Sequence, residues 1–233
     1  MSQVALTEGQ AGPRRGIAKS TLVYDELRAA IIGLVRPPGS QIEKAEICER
    51  MGVSRQPVSE AVARLADEGL IEIEPQKGTF VSRIRLADVN QAAFVRRALE
   101  VATAGSVAEK ISADSVKTLE RSLAYQDASL KAKDWEVFYA LDVRFHAALP
   151  EFLGMPRLRT AIDSARAPLE RARRLLLPSS PRTQDTVREH RAIVAALAAH
   201  DADAARSAMC AHLDRALNEI QRFAARKPEL FEA

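Results

Sequence analysis

The chain has 233 residues, of which 47% are apolar and 28% charged, with a formal net charge of +3. That length and apolar content suffice for one large domain, or for a small one and a medium one. There is no run of about 18 apolar residues, and the N-terminus lacks the apolar stretch of a signal peptide. Cys48 and Cys210 lie far apart without CxxC spacing, which suits a reducing compartment. We therefore expect a cytoplasmic protein that neither enters a membrane nor depends on disulfides.

The first 19 residues are basic and rich in Gly, Pro, Gln and Ser. Arg14, Arg15 and Lys19 stand against a single acid, Glu8. Such a composition predicts a disordered basic arm over residues 1–19. The arm either contacts phosphate or serves only as a solubilising tail.

Residues 20–84 carry the pattern of a small domain with three helices and a hairpin. Apolar spacing predicts helices over about residues 21–34 and 43–51, and Gly52 suits the left-handed cap of the second. Ser54 is placed to be the N-cap of a third helix that Gly69 ends. A helix, a short Gly-containing turn and another helix are typical of a helix-turn-helix.

A β-hairpin is predicted directly after the third helix, in the stretch IEIEPQKGTFV. Alternation over residues 71–74 indicates a half-buried strand, Pro75 to Gly78 supply a turn, and residues 79–81 can return as the partner strand. A hairpin in this place is a wing. Its tip, Gln76-Lys77-Gly78, is polar, basic and thin, as entry into a minor groove or contact with phosphate requires.

The start of the third helix has the side chains that recognise bases in a major groove. Arginine can donate two hydrogen bonds to guanine and glutamine can pair with adenine, whereas short serines reach bases or phosphates. On an arbitrary helix the same residues would form a solvated face. In register with a preceding helix and a wing, they predict contact with double-stranded DNA. The candidate DNA-binding residues are Ser54, Arg55, Gln56, Ser59, Arg64, Lys77 and Gly78.

From about residue 86 to residue 226 the chain is rich in Ala, Leu, Arg and Glu and shows no convincing strand. Breaks near residues 112–114, 133–134, 154–156, 178–181 and 200–201 divide it into about six helical segments. The fold class is therefore mainly α. A winged helix-turn-helix is followed by an all-α helical bundle.

A candidate metal site lies in this second half. Asp142 and His146, in LDVRFHAAL, are four residues apart on one helix face among apolar neighbours. His190 and His212 lie about eleven residues before and after the turn HDAD, so each sits about 16 Å from it on adjacent antiparallel helices. His200 falls in that turn and is expected to be exposed.

One oxygen and three nitrogen ligands suit a divalent transition ion, with Zn²⁺ preferred and Ni²⁺ or Mn²⁺ as alternatives. Such a site would leave coordination positions open for water or an anion. The alternative is a core without metal, in which Asp142 and His146 form a hydrogen-bonded pair and the other histidines are satisfied independently.

The run from PPGSQ to KGTFV resembles the winged helix-turn-helix of the GntR family of bacterial transcription regulators. The likeness covers residues 24–81 and includes the PG turn, VSRQPVSEAVARL, EGL and KGTFV. One departure is Ser59, which stands where the FadR-like branch of the family commonly has Arg. The usual operator of that branch is therefore not assumed.

Residues 88–222 resemble the FadR-type C-terminal ligand domain (FCD), through RRALE, DVRFHAALPEFLGMPRL and EHRAIVAALAAHDADAARSAMCAHL. The resemblance implies an ion held at the positions of Asp142, His146, His190 and His212, and a small carboxylate effector in the cavity beside it. GMP at residues 154–156 departs from the usual Gly-Asn, which is expected to change only the loop. The candidate effector-binding residues are Arg96, at a commonly basic position, and Arg171 and Arg173, of which at least one is expected to be solvated.

Three functions are consistent with these features. The first is a homodimeric, ligand-responsive transcription factor, a repressor, in which a carboxylate bound at the metal alters binding to operator DNA. The second is a DNA-binding protein with a purely structural metal, because four protein ligands close a tetrahedral site. The third is a metal-dependent hydrolase. Against the hydrolase, no carboxylate is placed as a general base and the helix-turn-helix would be unexplained.

Overall fold

A computed structural model describes residues 13–178 and 183–232 of the chain. The chain divides into two compact units, Met1–Arg83 and Ile84–Ala233. Each unit encloses an apolar core of its own.

The first unit contains three helices and an antiparallel hairpin, as the sequence predicts. Its core includes Leu27, Ile47, Val62 and Leu65, which are buried completely. In the hairpin, Ile71 stands opposite Val81. The elements are α1 (Pro13–Ile32), α2 (Lys44–Met51), α3 (Arg55–Asp67), β1 (Ile71–Glu74) and β2 (Gly78–Val81).

Helix α1 begins earlier than predicted. Residues 1–12 of the expected basic arm lie outside the described residues, whereas residues 13–19 are helical and not disordered. The helix starts at Pro13, where the fixed φ of proline suits the first turn and its missing N–H costs nothing.

The turn between α2 and α3 has the predicted backbone. Gly52 adopts φ 62° and ψ 38°, and its N–H donates to the carbonyls of Cys48 and Glu49. Ser54 occupies the N-cap position of α3, but its side chain makes no capping hydrogen bond. The position of Ser54 was predicted correctly and the capping bond was not.

A short segment before α2 extends the wing, which the sequence did not indicate. The amide of Ile42 donates to the carbonyl of Thr79 at 2.7 Å, and the amide of Val81 donates to that of Ser40 at 2.8 Å. Gln41 and Phe80 form an antiparallel bridge. The hairpin is therefore tied on one edge to the segment that leads into the helix-turn-helix.

The second unit is a helical bundle, as predicted. Among the described residues it has seven helices and not about six, because the turn Ala167–Leu169 separates two of them. Pro168 lies in this turn and has no backbone N–H to continue a regular helix. The helices are α4 (Leu86–Ala108), α5 (Ala113–Ala132), α6 (Trp135–Phe152), α7 (Pro156–Arg166), α8 (Glu170–Leu176), α9 (Thr183–Ala198) and α10 (Ala202–Arg226).

Three of the predicted helix breaks are N-caps. The side chains of Ser112, Asp134 and Asp201 accept hydrogen bonds from the backbone amides that begin α5, α6 and α10. Each satisfies an amide that the first helical turn leaves without a partner. Two of the preceding helices end at residues with positive φ, Lys133 at 56° and His200 at 54°.

The expectation of no strand in the second unit was wrong at its two ends. β3 (Ile84–Arg85) pairs in parallel with β4 (Phe231–Glu232). Ile84 and Phe231 are both buried and belong to one apolar cluster with Phe223 of α10. Burial of these side chains holds the two short segments together where no alternating pattern signals a strand.

The main core of the second unit lies where α4, α5, α6, α9 and α10 meet. It includes Leu119, Phe145, Leu149, Ile193 and Leu197, all nearly or fully buried. Within the described part of the chain, no helix is long and apolar enough to cross a membrane.

Candidate functional site

Helix α3 turns its apolar side to the core and its polar start outward. Val58, Val62 and Leu65 are completely buried. The predicted DNA-binding residues Ser54, Arg55, Gln56 and Ser59 are exposed instead. The side-chain Nε2 of Gln56 donates to Oε1 of Glu60 at 3.1 Å, one turn further along the same helix. The polar side chains at the start of α3 therefore form one accessible surface.

Arg64 differs from the other predicted DNA-binding residues because its own domain holds it. Its guanidinium lies 3.6 Å from the centre of the Tyr24 ring, and its Nε lies 3.6 Å from Oε1 of Glu68. The hydroxyl of Tyr24 donates to the same carboxylate at 2.7 Å. Contact with the tyrosine ring fixes where this guanidinium stands relative to the start of α3.

The tip of the wing is exposed at Lys77, whose Nζ lies 2.9 Å from Oε2 of Glu74. This hydrogen bond raises the pKa of Lys77 further above neutral pH, so its ammonium group stays charged. Gly78 adopts φ 136°, a backbone conformation that residues with a side chain rarely adopt. Gln76, two residues earlier, also has a positive φ of 65°. A glycine is therefore required at position 78 for the turn, whatever it contacts in DNA.

The second unit brings the four predicted metal ligands together. Asp142 and His146 project from α6, His190 from α9 and His212 from α10. One ligand atom from each lies within 4.8 Å of the others, and all four residues are buried. The rings of His190 and His212 have centroids 4.7 Å apart, so the two residues are level across the helical hairpin as predicted.

Each histidine turns one nitrogen toward the centre because an acceptor faces the other. Nδ1 of His190 lies 2.8 Å from Oε1 of Gln126, and Nδ1 of His212 lies 2.8 Å from Oε2 of Glu189. Nδ1 of His146 lies 2.5 Å from Oε2 of Glu100. For His190 and His212 the acceptor at Nδ1 places the proton there and leaves the Nε2 lone pair facing inward, whereas the short contact of His146 with Glu100 lacks hydrogen-bond geometry.

Burial keeps the three imidazoles neutral, which is the form that binds a metal. Desolvation is the main cause that lowers the pKa of His146 and His190 well below 6.5, and that of His212 to about 3. Desolvation is the largest influence and opposes ionisation of Asp142, but the neighbouring groups, Arg173 first among them, together outweigh it and lower the pKa of that carboxyl. The cluster is thus one carboxylate and three neutral imidazoles.

The inner atoms of the cluster fit a metal better than a hydrogen-bonded core. Nε2 of His190 and Oδ1 of Asp142 are buried and have no hydrogen-bond partner among the described residues. Oδ1 of Asp142 is 3.7 Å from Nε2 of His190 and 3.9 Å from Nε2 of His146, too far for hydrogen bonds. The alternative of a hydrogen-bonded Asp142–His146 pair is therefore wrong.

The distance between Nε2 of His146 and Nε2 of His212 is 3.3 Å. Two ligands bonded to one ion at about 2.1 Å are roughly 3.0–3.4 Å apart at right-angled to tetrahedral geometry. The two nitrogens are also within hydrogen-bonding distance of each other, and a cation bound between them would replace that contact. The donor set and its spacing fit a divalent transition ion.

Two of the predicted effector-binding arginines, Arg96 and Arg173, lie beside the cluster, and all three are largely shielded from solvent. Nη2 of Arg173 donates to Oδ2 of Asp142 at 2.8 Å, and Nε of Arg96 donates to Oε1 of Glu100 at 2.5 Å. Arg171 is only 7% exposed. The expectation that Arg171 or Arg173 lies at the surface was therefore wrong, because α8 turns both toward the bundle.

Two cavities lie beside the cluster. One, of about 70 Å³, is lined in part by Arg173, Glu189, His212 and Arg215. The other, of about 20 Å³, is lined in part by Arg96 and Arg173. Arg173 borders both cavities, whereas Arg171 borders neither.

Sequence reasoning missed four residues that complete the site: Glu100, Gln126, Glu189 and Arg166. Gln126 lies in line with Leu119, Leu123 and Leu130 on the apolar face of α5, a signal that could have been used. Glu189 is next to His190 in sequence, and Glu100 is four residues after Arg96 on α4. Nη2 of Arg166 lies 3.5 Å from Oδ2 of Asp142, and no sequence pattern indicated this proximity.

Family models match both units. Residues 19–81 match the model of bacterial regulatory proteins of the gntR family, and residues 91–215 match the FCD domain. An HTH-type transcriptional regulator of Streptomyces ambofaciens is 36% identical, covering 90% of this chain and 88% of its own. The HTH-type transcriptional repressor RspR of Escherichia coli K12 is 31% identical, covering 92% and 93%.

Solved structures show the same fold. A GntR transcriptional regulator from Rhodococcus sp. RHA1 has a TM-score of 0.72 at 24% identity, covering 88% of this chain and 98% of its own. McbR/YncC of E. coli has a TM-score of 0.69 at 17% identity, covering 88% and 97%. With an exposed helix-turn-helix surface, a buried His/Asp cluster and matches over both units, this chain belongs to the GntR family of DNA-binding transcriptional regulators, in the branch with an FCD domain.

Proposed function

We propose that the protein is a homodimeric repressor whose operator binding is controlled by a small carboxylate bound beside a divalent metal. The observation that carries this proposal is the convergence of Asp142, His146, His190 and His212, two of which keep a buried ligand atom without a partner. The adjacent cavity, bordered by Arg173 and His212, supplies a place for the anion.

The four ligands would hold the ion, with Zn²⁺ preferred and Ni²⁺ or Mn²⁺ as alternatives. When bound, the ion supplies Lewis-acid positions that an effector carboxylate can complete. Gln126, Glu100 and Glu189 orient the imidazoles, since each faces the Nδ1 atom of one histidine. Arg173 borders both cavities and Arg96 borders the smaller one. Both arginines are cations suited to pairing with a carboxylate.

At the operator, the exposed side chains at the start of α3 would contact base edges and phosphates in a major groove. They are Ser54, Arg55, Gln56 and Ser59. Lys77 and Gly78 would contact the phosphate backbone or minor groove from the wing. Arg64 is stacked on Tyr24, so its contact would be with DNA beside that ring. A dimer presents two such surfaces to two half-sites.

The coupling between the two units requires the effector to bind two arrangements of the dimer with different affinity. A bias of about 1–3 kcal/mol is typical of such coupling. The relative RspR is described as a repressor, which supports the same sign of control here. A regulator that binds bacterial chromosomal DNA acts in the cytoplasm.

Of the two alternative functions, the hydrolase is excluded and the DNA-binding protein with a structural metal is kept as a second candidate. The family and its relatives are transcription regulators, so the expectation that the protein is not an enzyme is confirmed and the hydrolase is excluded. A purely structural metal is the second candidate, because four protein ligands can close a tetrahedral site. The arginine-bordered cavities favour the effector, since a closed structural site needs no cations beside it.

The proposal is tested by fluorescence anisotropy with DNA from upstream of the protein's own gene, against scrambled competitor at fixed salt. We expect saturable binding well above competitor, and release by small carboxylates only when the protein carries metal. Binding that no carboxylate alters, with or without metal, would support the structural-metal alternative.

A paired substitution tests the site itself. Replacing His190 with Ala should lower metal content and the effector response while leaving operator binding without effector largely intact. His200→Ala is the matched control, because His200 is exposed and its Nδ1 bonds to the carbonyl of Ala108, away from the cluster. Unchanged metal stoichiometry in His190→Ala would remove that residue from the site.

A further inference from the structure

Three arginines from three different helices meet beside the candidate metal cluster. Arg96 belongs to α4, Arg166 ends α7 and Arg173 lies in α8. Arg96 and Arg166 are each 3% exposed, and the Arg173 side chain is 11% exposed. Fully charged side chains are rarely buried without partners, so this concentration calls for an explanation.

Every one of these guanidiniums keeps a buried nitrogen without a hydrogen-bond acceptor among the described residues. The atoms are Nη2 of Arg96, Nη2 of Arg166 and Nη1 of Arg173. Another nitrogen of Arg96 pairs with Glu100, and another nitrogen of Arg173 pairs with Asp142. Nη1 of Arg166 donates to the carbonyl of Val143, while its Nη2 lies 3.5 Å from Oδ2 of Asp142 without forming a hydrogen bond. The unused donors are thus held in place by the contacts of their own side chains.

Tyr139 adds a neutral donor to the same region. It precedes Asp142 by three residues on α6 and therefore lies on the same helix face. Its hydroxyl is buried and has no hydrogen-bond partner in the described part of the chain. Burial is the main cause that raises the pKa of this phenol, and the charges of Arg173, Glu170 and Arg166 act on it more weakly, so the hydroxyl stays a neutral donor.

The formal charges around the site do not balance. Three arginines face two carboxylates, Asp142 and Glu100, whereas the third carboxylate of the site, Glu189, is balanced by Arg215. The protein residues thus leave one positive charge over, and a divalent ion would add two more. Buried charge without a counter-charge is costly, so the site favours a ligand that brings more than one negative charge.

We propose that the effector is a small dicarboxylate. One carboxylate would occupy the metal side of the cavity, and Arg96, Arg166, Arg173 and Tyr139 would hold the second. This inference rests on the proposed function, because it specifies the anion that the FCD unit binds. A planar guanidinium offers two parallel N–H groups to one carboxylate, so the three unused nitrogens and the phenol are well suited to it.

The test compares ligands of equal chain length by isothermal titration calorimetry on protein loaded with Zn²⁺. Succinate is compared with butyrate, and malonate with propionate, at constant ionic strength. We expect at least a tenfold tighter binding of the dicarboxylate in each pair. Metal content is measured after each titration, so that chelation of Zn²⁺ by the dicarboxylate is not mistaken for binding.

Two variants assign the preference to the proposed residues. Arg166→Gln removes a guanidinium that is not a metal ligand, and Tyr139→Phe removes only the hydroxyl and keeps the ring. Both should lower the ratio of dicarboxylate affinity to monocarboxylate affinity several-fold. Arg159→Gln, on the same helix as Arg166 but paired with Glu151 and Asp163 at the surface, should keep the full preference.

The outcomes separate this inference from the proposed function. Equal affinity for succinate and butyrate would overturn the dicarboxylate inference and leave a carboxylate effector in place. Failure of every carboxylate to bind the loaded protein would overturn both. A full dicarboxylate preference in both Arg166→Gln and Tyr139→Phe would remove the assigned subsite.

Discussion

The functional side chains of the two units are arranged in opposite ways. At the start of α3, the side chains of Ser54, Arg55 and Gln56 are exposed to solvent. In the FCD unit, Asp142 and His190 are completely buried and contact several other polar groups. An exposed surface acts through a partner that arrives from solution, whereas a buried cluster must already be balanced within the fold.

The difference has an energetic consequence. A residue of the DNA-binding surface can be replaced with little effect on folding, because water replaces its lost contacts. A residue of the buried cluster cannot, because its removal leaves another charge or donor without a partner. Substitutions at the start of α3 should therefore change DNA binding with little effect on stability, whereas substitutions in the buried cluster should change stability as well as metal and effector binding.

Removal of the central carboxylate should have the largest effect. Asp142→Ala leaves Arg173 and Arg166 buried beside no counter-charge, which typically costs about 3–5 kcal/mol in the free energy of unfolding. The measurement is urea unfolding of metal-free protein. Glu136→Ala is the control, because Glu136 pairs with Arg174 at a side chain that is 72% exposed, and it should cost about 0–1 kcal/mol. Similar losses in both variants would contradict the comparison.

Acid should destabilise the metal-free protein through its histidines. Their pKa values are lowered in the folded state, so the unfolded chain binds protons below pH 6.5 that the folded chain does not. The stabilisation is therefore present above pH 6.5 and is lost as the pH falls, for His212 down to about 3. Each histidine contributes a slope of at most about 1.4 kcal/mol per pH unit. Urea unfolding at pH 7, 6 and 5 measures this slope. A free energy of unfolding that does not change with pH would contradict buried neutral imidazoles.

Loss of one orienting group should weaken metal binding without removing a ligand. Gln126→Leu deletes the acceptor of His190 Nδ1 and keeps an apolar side chain of similar size at a fully buried position. Loss of such a partner typically lowers metal affinity about 10- to 100-fold. Competition with a chromophoric chelator measures the change. An affinity equal to that of the unsubstituted protein would mean that Gln126 does not orient His190.

The DNA-binding surface should respond with the smallest effect on stability and a specific effect on binding. Arg55→Ala should cost about 1–3 kcal/mol in operator binding if Arg55 contacts a base, with unfolding unchanged. Lys77→Ala on the wing is the control for a phosphate contact, and should weaken binding to all sequences and reduce the salt slope by about one. If Arg55→Ala weakens binding to operator DNA and to scrambled DNA equally, Arg55 contacts a phosphate and not a base.

Much of the molecule follows from local sequence. The spacing of Asp142 and His146 puts both on one helix face, and the equal distances of His190 and His212 from their turn make them level. Gly52 and the alternation at residues 71–74 likewise fix a turn and a strand through local backbone preferences. Such features depend on residues within a few positions of one another, so a single sequence is enough to predict them.

What surrounds the cluster was decided by tertiary packing. Glu100, Gln126 and Arg166 come from α4, α5 and α7, and only the folded bundle brings them to His146, His190 and Asp142. Pro168 divides α7 from α8 and so places Arg173 against Asp142, where sequence reasoning had allowed for a solvated side chain. The sequence determined which side chains share a helix face, because helical periodicity is local. The choice of partner for each buried charge depended on the packing of distant helices, because removing a charge from water requires a counter-charge or donor from whichever segment lies against it.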